Sequence, residues 1–252
     1  MNAPLPAPGK AFSLVELLVV VAVIILLMAL LVPSITGIKG GSDLTKTAYD
    51  IQGTLDQARA YAMSNNTFVW VGFAEEDAGY DASKNPQVPG TGRVAVAVIA
   101  SKDGTKGFDG GSLPNPAWTN YGNGNNFLAM AKLQRFENVH LADLGATPPA
   151  SGGMARPAVA DAYRVGNTAV ICVTPFYWPL GSALNSGQYS FKTVVTFDPQ
   201  GVARIQGTGD SVPQYLEIGL QPTHGNAAAQ TSPNVAAIQI NGITGATRIF
   251  RP

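Results

Sequence analysis

The sequence predicts an α+β protein in which a long N-terminal helix, a membrane half followed by an amphipathic half, packs on an antiparallel β-sheet head. Three observations predict it. Phe12 to Val32 is apolar except for Ser13 and Glu16, and the sixteen residues from Leu17 to Val32 carry no polar side chain. Leu44, Ala48, Ile51, Leu55, Ala58 and Ala62 then recur at helical spacing, with Lys46, Asp50, Asp56 and Arg59 on the other faces. After Asn66 the period changes to two, in runs rich in β-branched and aromatic residues such as Thr67–Phe73 and Arg93–Ile99.

The apolar run has the length expected of a helix that crosses a bilayer, roughly 17–25 residues. An ionised carboxylate in hydrocarbon is retained mainly where it meets a partner, so Glu16 calls for a cation. Met1 to Ala11 holds three prolines and Lys10 and reads as a leader. Positive charge ahead of the run directs that end to the cytoplasm, although Lys39 beyond it weighs the other way. Pro33 should bend the helix, and Gly37, Gly40 and Gly41 should loosen or break it before Ser42 and Asp43 cap a fresh turn. Unbroken, residues 12–66 would form a rod about 80 Å long. The expected divisions are a leader at 1–11, a transmembrane or filament-core helix and hinge at 12–41, an amphipathic helix at 42–66 and a β-rich head at 67–252.

Composition supports a head of sheet and turn. Charged residues are only 13% of the chain, while glycines number 28 and prolines 18. Further strands are expected at 127–141, 169–174, 188–197, 202–206, 215–220, 235–240 and 247–250, with long loops at 75–92 and 101–126 and another at 147–157. An Asn-Gly turn at Asn241-Gly242 should close a terminal hairpin. The formal net charge is +0, with basic residues scattered along the chain, so no nucleic-acid partner is indicated. Cys172 is alone, which excludes an intrachain disulfide, and its apolar neighbours make it a small buried hydrophobe.

No catalytic constellation emerges. The two histidines, His140 and His224, read as a strand residue and a turn residue, and no Gly-x-Ser-x-Gly elbow occurs beside them. Metal-ligand spacings of the HExxH or paired-cysteine kind do not occur either. Asp103 to Asp109 resembles half of a calcium loop but lacks the alternating acids and the closing glutamate. Gly122 to Phe127 lacks the third glycine of a dinucleotide fingerprint. Trp70 alternates like a core residue, and Trp118 and Trp178, both beside prolines, remain open as adhesive contacts. The expectation is a non-enzymatic protein without a cofactor or metal.

Ala11-Phe12-Ser13-Leu14-Val15-Glu16 resembles the cleavage and methylation motif of type IV prepilins, in which a small residue precedes Phe and Glu is the fifth mature residue. The residue before the cut is usually Gly in that family, and Ala11 departs from it. The resemblance implies that a prepilin peptidase cuts after Ala11, that Phe12 becomes an N-methylated terminus, and that Glu16 pairs with the terminal amine of a neighbouring subunit. A secretory signal peptide, with a poor cleavage site at Val32-Pro33-Ser34, or a plain signal anchor would account for the apolar run but not for the motif.

The C-terminal turn Ile240-Asn-Gly-Ile-Thr-Gly245, the ending Arg248-Ile-Phe-Arg251 and Phe197-Asp-Pro-Gln-Gly201 resemble heads of the type II secretion minor pseudopilin H and FimT-like group. Length and N-terminal style also resemble Verru-Chthon cassette protein D. The implied protein is a structural subunit, at a minor position, of a type IV pilus or a type II secretion pseudopilus. Its implied partners are prepilin peptidase, other pilin or pseudopilin subunits, an inner-membrane assembly platform and, before assembly, membrane lipid. Its implied location is the bacterial inner membrane, single-pass with a cytoplasmic N-terminus and an extracytoplasmic head, and then the filament. The alternative is a membrane-anchored extracytoplasmic binding or adhesion domain that never polymerises.

Overall fold

The structure is a computed structural model that describes residues 13–106, 126–145, 154–167, 175–180, 187–206, 211–228 and 234–252, with the backbone alone for 29–42. Helix α1 (Leu14–Ser64) starts where a side chain can take over an unpaired amide: Ser13 Oγ accepts from the Glu16 N–H at 3.2 Å. It ends on Asn66, which adopts a left-handed φ of 50°, while the Thr67 N–H reaches back to the Ala62 carbonyl at 3.0 Å. The backbone stays helical through Pro33 and the three glycines, where the sequence suggested a break.

The chain divides into two compact units, Met1–Lys39 and Gly40–Pro252. In the second, every apolar position picked out by helical spacing, from Leu44 to Ala62, is at most 1% exposed and belongs to one core with the strands.

That second unit is built mainly of antiparallel sheet, which corrects the α+β expectation of a long apolar helix packed on a sheet. Among the described residues there are only two helices, α1 and a single 3₁₀ turn at Asp161–Tyr163. None of them is long and apolar enough to cross a membrane. The expected transmembrane helix and single-pass inner-membrane placement are corrected with it.

Sheet I joins β3 (Phe127–Ala129), β2 (Gly92–Ser101), β1 (Val69–Asp77), β8 (Thr193–Phe197) and β9 (Ala203–Ile205) in that order, with β4 (Gln134–Glu137) also on β2. Sheet II runs β11 (Ala227–Ala228), β10 (Tyr215–His224), β12 (Ala236–Asn241), β13 (Thr247–Phe250), with β5 (Val139–Leu141) on β10. A third sheet is the two-stranded ribbon of β6 (Phe176–Trp178) and β7 (Tyr189–Phe191).

Successive side chains of a strand point to opposite faces, and sheet I uses both. Val69, Val71 and Phe73 of β1, with Val94, Val96 and Val98 of β2, share a core with α1 and sheet II. Trp70 of β1 and Ala95, Ala97 and Ile99 of β2 share a second core with Phe176, Tyr189 and Phe191 of the ribbon. The uninterrupted apolar runs of β1 and β2 therefore reflect burial on both faces.

Several boundaries differ from the sequence expectation. Residues 127–141 form three short strands, with Asn138 at a φ of 61° between the last two. Lys192, exposed, divides 188–197 into β7 of the ribbon and β8 of sheet I. The terminal hairpin turns on a longer loop than Asn-Gly: Asn241 Oδ1 accepts from the amides of Ile243 and Thr244 at 3.1 and 2.9 Å, and Gly245 takes a φ of 67°. Past it, Thr247 Oγ1 donates to Asp56 Oδ1 of α1 at 2.7 Å, and Arg251 Nη2 donates to Thr45 Oγ1 at 2.5 Å. The strand expected at 169–174, with Cys172, lies outside the described residues.

Gly72 is the close approach between sheet I and the ribbon, since a Cβ there would collide with the Phe176 ring and lie 2.8 Å from Phe191 Cβ. Gly72→Val should lower unfolding free energy by about 2 kcal/mol or more through overpacking. Denaturant titration checks this, and a loss under about 0.5 kcal/mol would show that the ribbon can shift away.

Candidate functional site

Two places on the chain gather chemistry. The first is the start of α1. Glu16 is the third residue of the helix that Ser13 caps, so Ser13 and Glu16 stand at the Ser-x-x-Glu spacing of a capping box, and the Glu16 backbone N–H makes the bond that spacing predicts. A carboxylate in the first turn also faces the positive end of the helix dipole. Sequence reasoning assigned Glu16 only to intersubunit pairing, although its spacing from Ser13 was visible. Around it the large side chains are exposed: Leu14 by 76%, Leu17 by 64%, Ile25 by 64% and Leu26 by 63%. Ala11 and Phe12 lie outside the described residues.

The second place is a cleft of about 450 Å³ in the head, at the C-terminal end of β1. The ribbon supplies Tyr177 and Tyr189, the loop after β1 supplies Pro86, Gln87 and Pro89, and β1 itself supplies Glu75 and Glu76. Strand register creates its charge pattern. Glu76 lies opposite Arg93 on β2, and Arg93 lies opposite Glu137 on β4, so three charges form a row across three strands. Arg93 Nε donates to both Glu137 oxygens at 2.8 and 2.9 Å, while its Nη1 stands 3.4 Å from Glu76 Oε2. Glu76 is 2% exposed and its Oε1 has no hydrogen-bond partner among the described residues. Burial pushes its carboxyl above the usual range, against the opposing pull of Arg93. Gln87 Oε1 is likewise buried without a partner, its amide nitrogen being committed to the carbonyls of Ala82 and Lys84 at 2.8 Å each. At the side of the cleft Glu75 Oε1 lies 2.6 Å from His140 Nδ1. Tyr189 is pushed up by burial and by the neighbouring Glu76 charge.

The sequence analysis placed 75–92 in a loop and so missed these residues. The available signal was the pair Glu75-Glu76 directly after an alternating apolar strand, but their partners Arg93 and His140 are defined only by strand pairing.

A third charged cluster is structural. Arg156 holds Glu217 in a bidentate pair, Nε to Oε2 at 2.6 Å and Nη2 to Oε1 at 3.0 Å, with both side chains 1% exposed. Gln239, opposite Glu217 in the β10–β12 register, donates to Glu217 Oε2 at 2.8 Å. Together with the Val165 N–H bonded to the Glu217 carbonyl at 2.8 Å, the pair ties segment 154–167 to sheet II.

The remaining candidates separate. His140 belongs to β5, and His224 is the exposed end of β10. Trp70 is buried edge-on against Phe127 at 5.4 Å, Trp178 ends β6 half-buried, and Trp118 lies outside the described residues. Asp103 closes its own turn, accepting from Thr105 N–H at 3.0 Å, Thr105 Oγ1 at 2.7 Å and Ser101 Oγ at 2.8 Å. Those bonds pull its pKa down to about 2. Asp109 and most of 122–127 are outside the described residues, among which no group of three metal-ligating side chains assembles. Comparison of the chain with known protein families, with characterised proteins and with solved structures finds no match.

Because the folded-state pKa of Glu76 is raised, the folded protein binds its proton more tightly than the unfolded chain. The associated stability is therefore present at low pH and lost as pH rises through the folded value. Glu76→Gln should remove part of that dependence, so its stability relative to the parent should improve from about pH 4 to about pH 7. Thermal unfolding of both proteins across that range measures it, and a parallel pair of pH profiles would contradict it.

Proposed function

We propose that the chain is a pilin-like structural subunit, cut after Ala11 by a prepilin peptidase, methylated on Phe12 and assembled with other pilin or pseudopilin subunits at a minor position of a type IV pilus or type II secretion pseudopilus. The observation that carries this reading is the run of exposed large side chains on α1 from Leu14 to Met28, interrupted in charge only by Glu16. Burying a run of this size against the same run on neighbouring copies would yield on the order of 20 kcal/mol, as an upper figure. Within such a packed array Glu16 would be desolvated and would require a cation, which the methylated amine of a neighbour's Phe12 would supply. The motif at 11–16 and the short likenesses in the terminal hairpin support the same class of protein.

Two outcomes follow from this reading. The mature protein should begin at Phe12 and carry one added methyl group, which intact mass and terminal sequencing establish; a chain still beginning at Met1 would remove the processing step.

Glu16→Leu and Glu16→Gln both keep the backbone N–H that Ser13 caps. Both should leave the head folded while lowering incorporation into isolated filaments by about tenfold or more, the equivalent of roughly 1.4 kcal/mol. Normal incorporation of Glu16→Gln would mean that the carboxylate serves the helix start alone.

A further inference from the structure

Sheet II stops at β13, and register fixes which of that strand's backbone groups are left over. The Asn241 N–H bonds the Ala246 carbonyl at 2.9 Å, so the ladder between β12 and β13 continues through the pairs Gln239–Arg248 and Ala237–Phe250. Thr247 and Ile249, in the alternate pairs, turn their N–H and C=O groups away from β12, where no backbone partner meets them among the described residues. The corresponding edge of sheet I is partly closed, since Ala203 of β9 donates its N–H to the Gly242 carbonyl at 2.8 Å. We propose that the β13 edge accepts, as an added antiparallel strand, an extended segment of a partner protein in which acidic and apolar residues alternate.

Side chains set that pattern, because residues opposite each other in neighbouring strands share a face. Thr247 and Ile249 look towards α1: Thr247 Oγ1 donates to Asp56, and Ile249 packs against the core that α1 shares. Arg248 lies on the other face, exposed, with its guanidinium 4.9 Å from the centre of the Phe250 ring and in no ion pair among the described residues. Glu217, two strands away on that face, is already held by Arg156. Arg251, just past the strand, bonds the neutral Thr45 and Asn234. An added strand therefore meets unmatched positive charge beside Arg248, which calls for an acid there. On the α1 side it meets Ile249 and the Asp56 carboxylate, which disfavours a second acid and leaves those positions to apolar residues. A second copy of β13 fits less well, because antiparallel self-pairing about Ile249 would gather Arg248 and Arg251 of both copies without a carboxylate from either strand.

Saturation-transfer NMR on the full chain, dispersed in a polyoxyethylene detergent, tests this with acetylated and amidated peptides of five residues. The acidic probe alternates glutamate with valine, and its control alternates lysine with valine. The acidic probe should saturate with a dissociation constant on the order of 1 mM, and the lysine probe should bind at least about tenfold more weakly. Arg248→Glu, at an exposed position, should reverse that order, with circular dichroism to show that the fold is kept. Backbone pairing is read on the ligand, so it needs no change to the protein. In an antiparallel addition the valines stand opposite Thr247 and Ile249 and exchange hydrogen bonds with them. N-methylation of both valines should therefore abolish binding, whereas N-methylation of the central glutamate should leave it within about threefold. Three outcomes overturn the proposal: the acidic probe does not saturate, the lysine probe binds the parent chain as well as the acidic one does, or methylation of the valines leaves binding unchanged.

Discussion

Sheet I has to satisfy two cores at once, and the rest of the head follows from that constraint. Its central strands β1 and β2 have no solvent face, because the valines of one set meet α1 and sheet II while Trp70 and Ile99 meet the ribbon. Burial on both faces removes the usual polar alternation and confines charged groups to strand ends, where the second face runs out. Glu75, Glu76 and Arg93 sit at that limit on neighbouring strands. The same geometry demands a residue without a side chain where two phenylalanines press onto the sheet, which is the place Gly72 occupies.

Register then converts sequence into electrostatics. A pairing that sets Glu76 against Arg93 and Arg93 against Glu137 aligns alternate charges across three strands, and the β10–β12 pairing sets Glu217 beside Gln239. The two arrangements differ in completeness. Glu217 has both oxygens engaged by Arg156 and a further bond from Gln239, and it lies under a segment it holds in place. Glu76 keeps one oxygen buried without a partner among the described residues, with the guanidinium 3.4 Å from the other. Arg156 Nη1 and Gln239 Oε1 are themselves buried without a partner among the described residues, so the difference lies in the carboxylates: the fully engaged one holds a segment in place, and the half-engaged one carries more of the cost of burial.

What the sequence made legible was local. Helical spacing located the buried face of α1 from Leu44 to Ala62 because each position depends only on neighbours three and four residues away. Period-two runs located β1 and β2 for the same reason. The cleft was not legible, since Glu75 and Glu76 look like the start of a loop until β2, β4 and β5 are placed beside them. Lys192 was likewise invisible as a boundary, for the residues on either side of it are equally β-like and differ only in which sheet they join. The membrane expectation failed for another reason: hydropathy over 12–32 measures what a segment avoids, water, without specifying what covers it.

Under the proposed assembly, the start of α1 would make one residue serve two levels of structure. Ser13 caps the helix through the Glu16 amide, which fixes where the first turn begins and hence at what height the Glu16 side chain leaves the axis. Under the proposed processing after Ala11, a new amine would stand four residues before Glu16 in the sequence, and each subunit would carry both a cation and an anion near its start. Copies staggered along their axes would bring unlike charges together, whereas copies in register would oppose like with like. The apolar residues from Leu17 to Met28 cannot choose between those alignments, because sliding one aliphatic row along another changes its burial little. Under the proposed assembly, direction would come from the charges, with the apolar run supplying the attraction and the Glu16 carboxylate the registration.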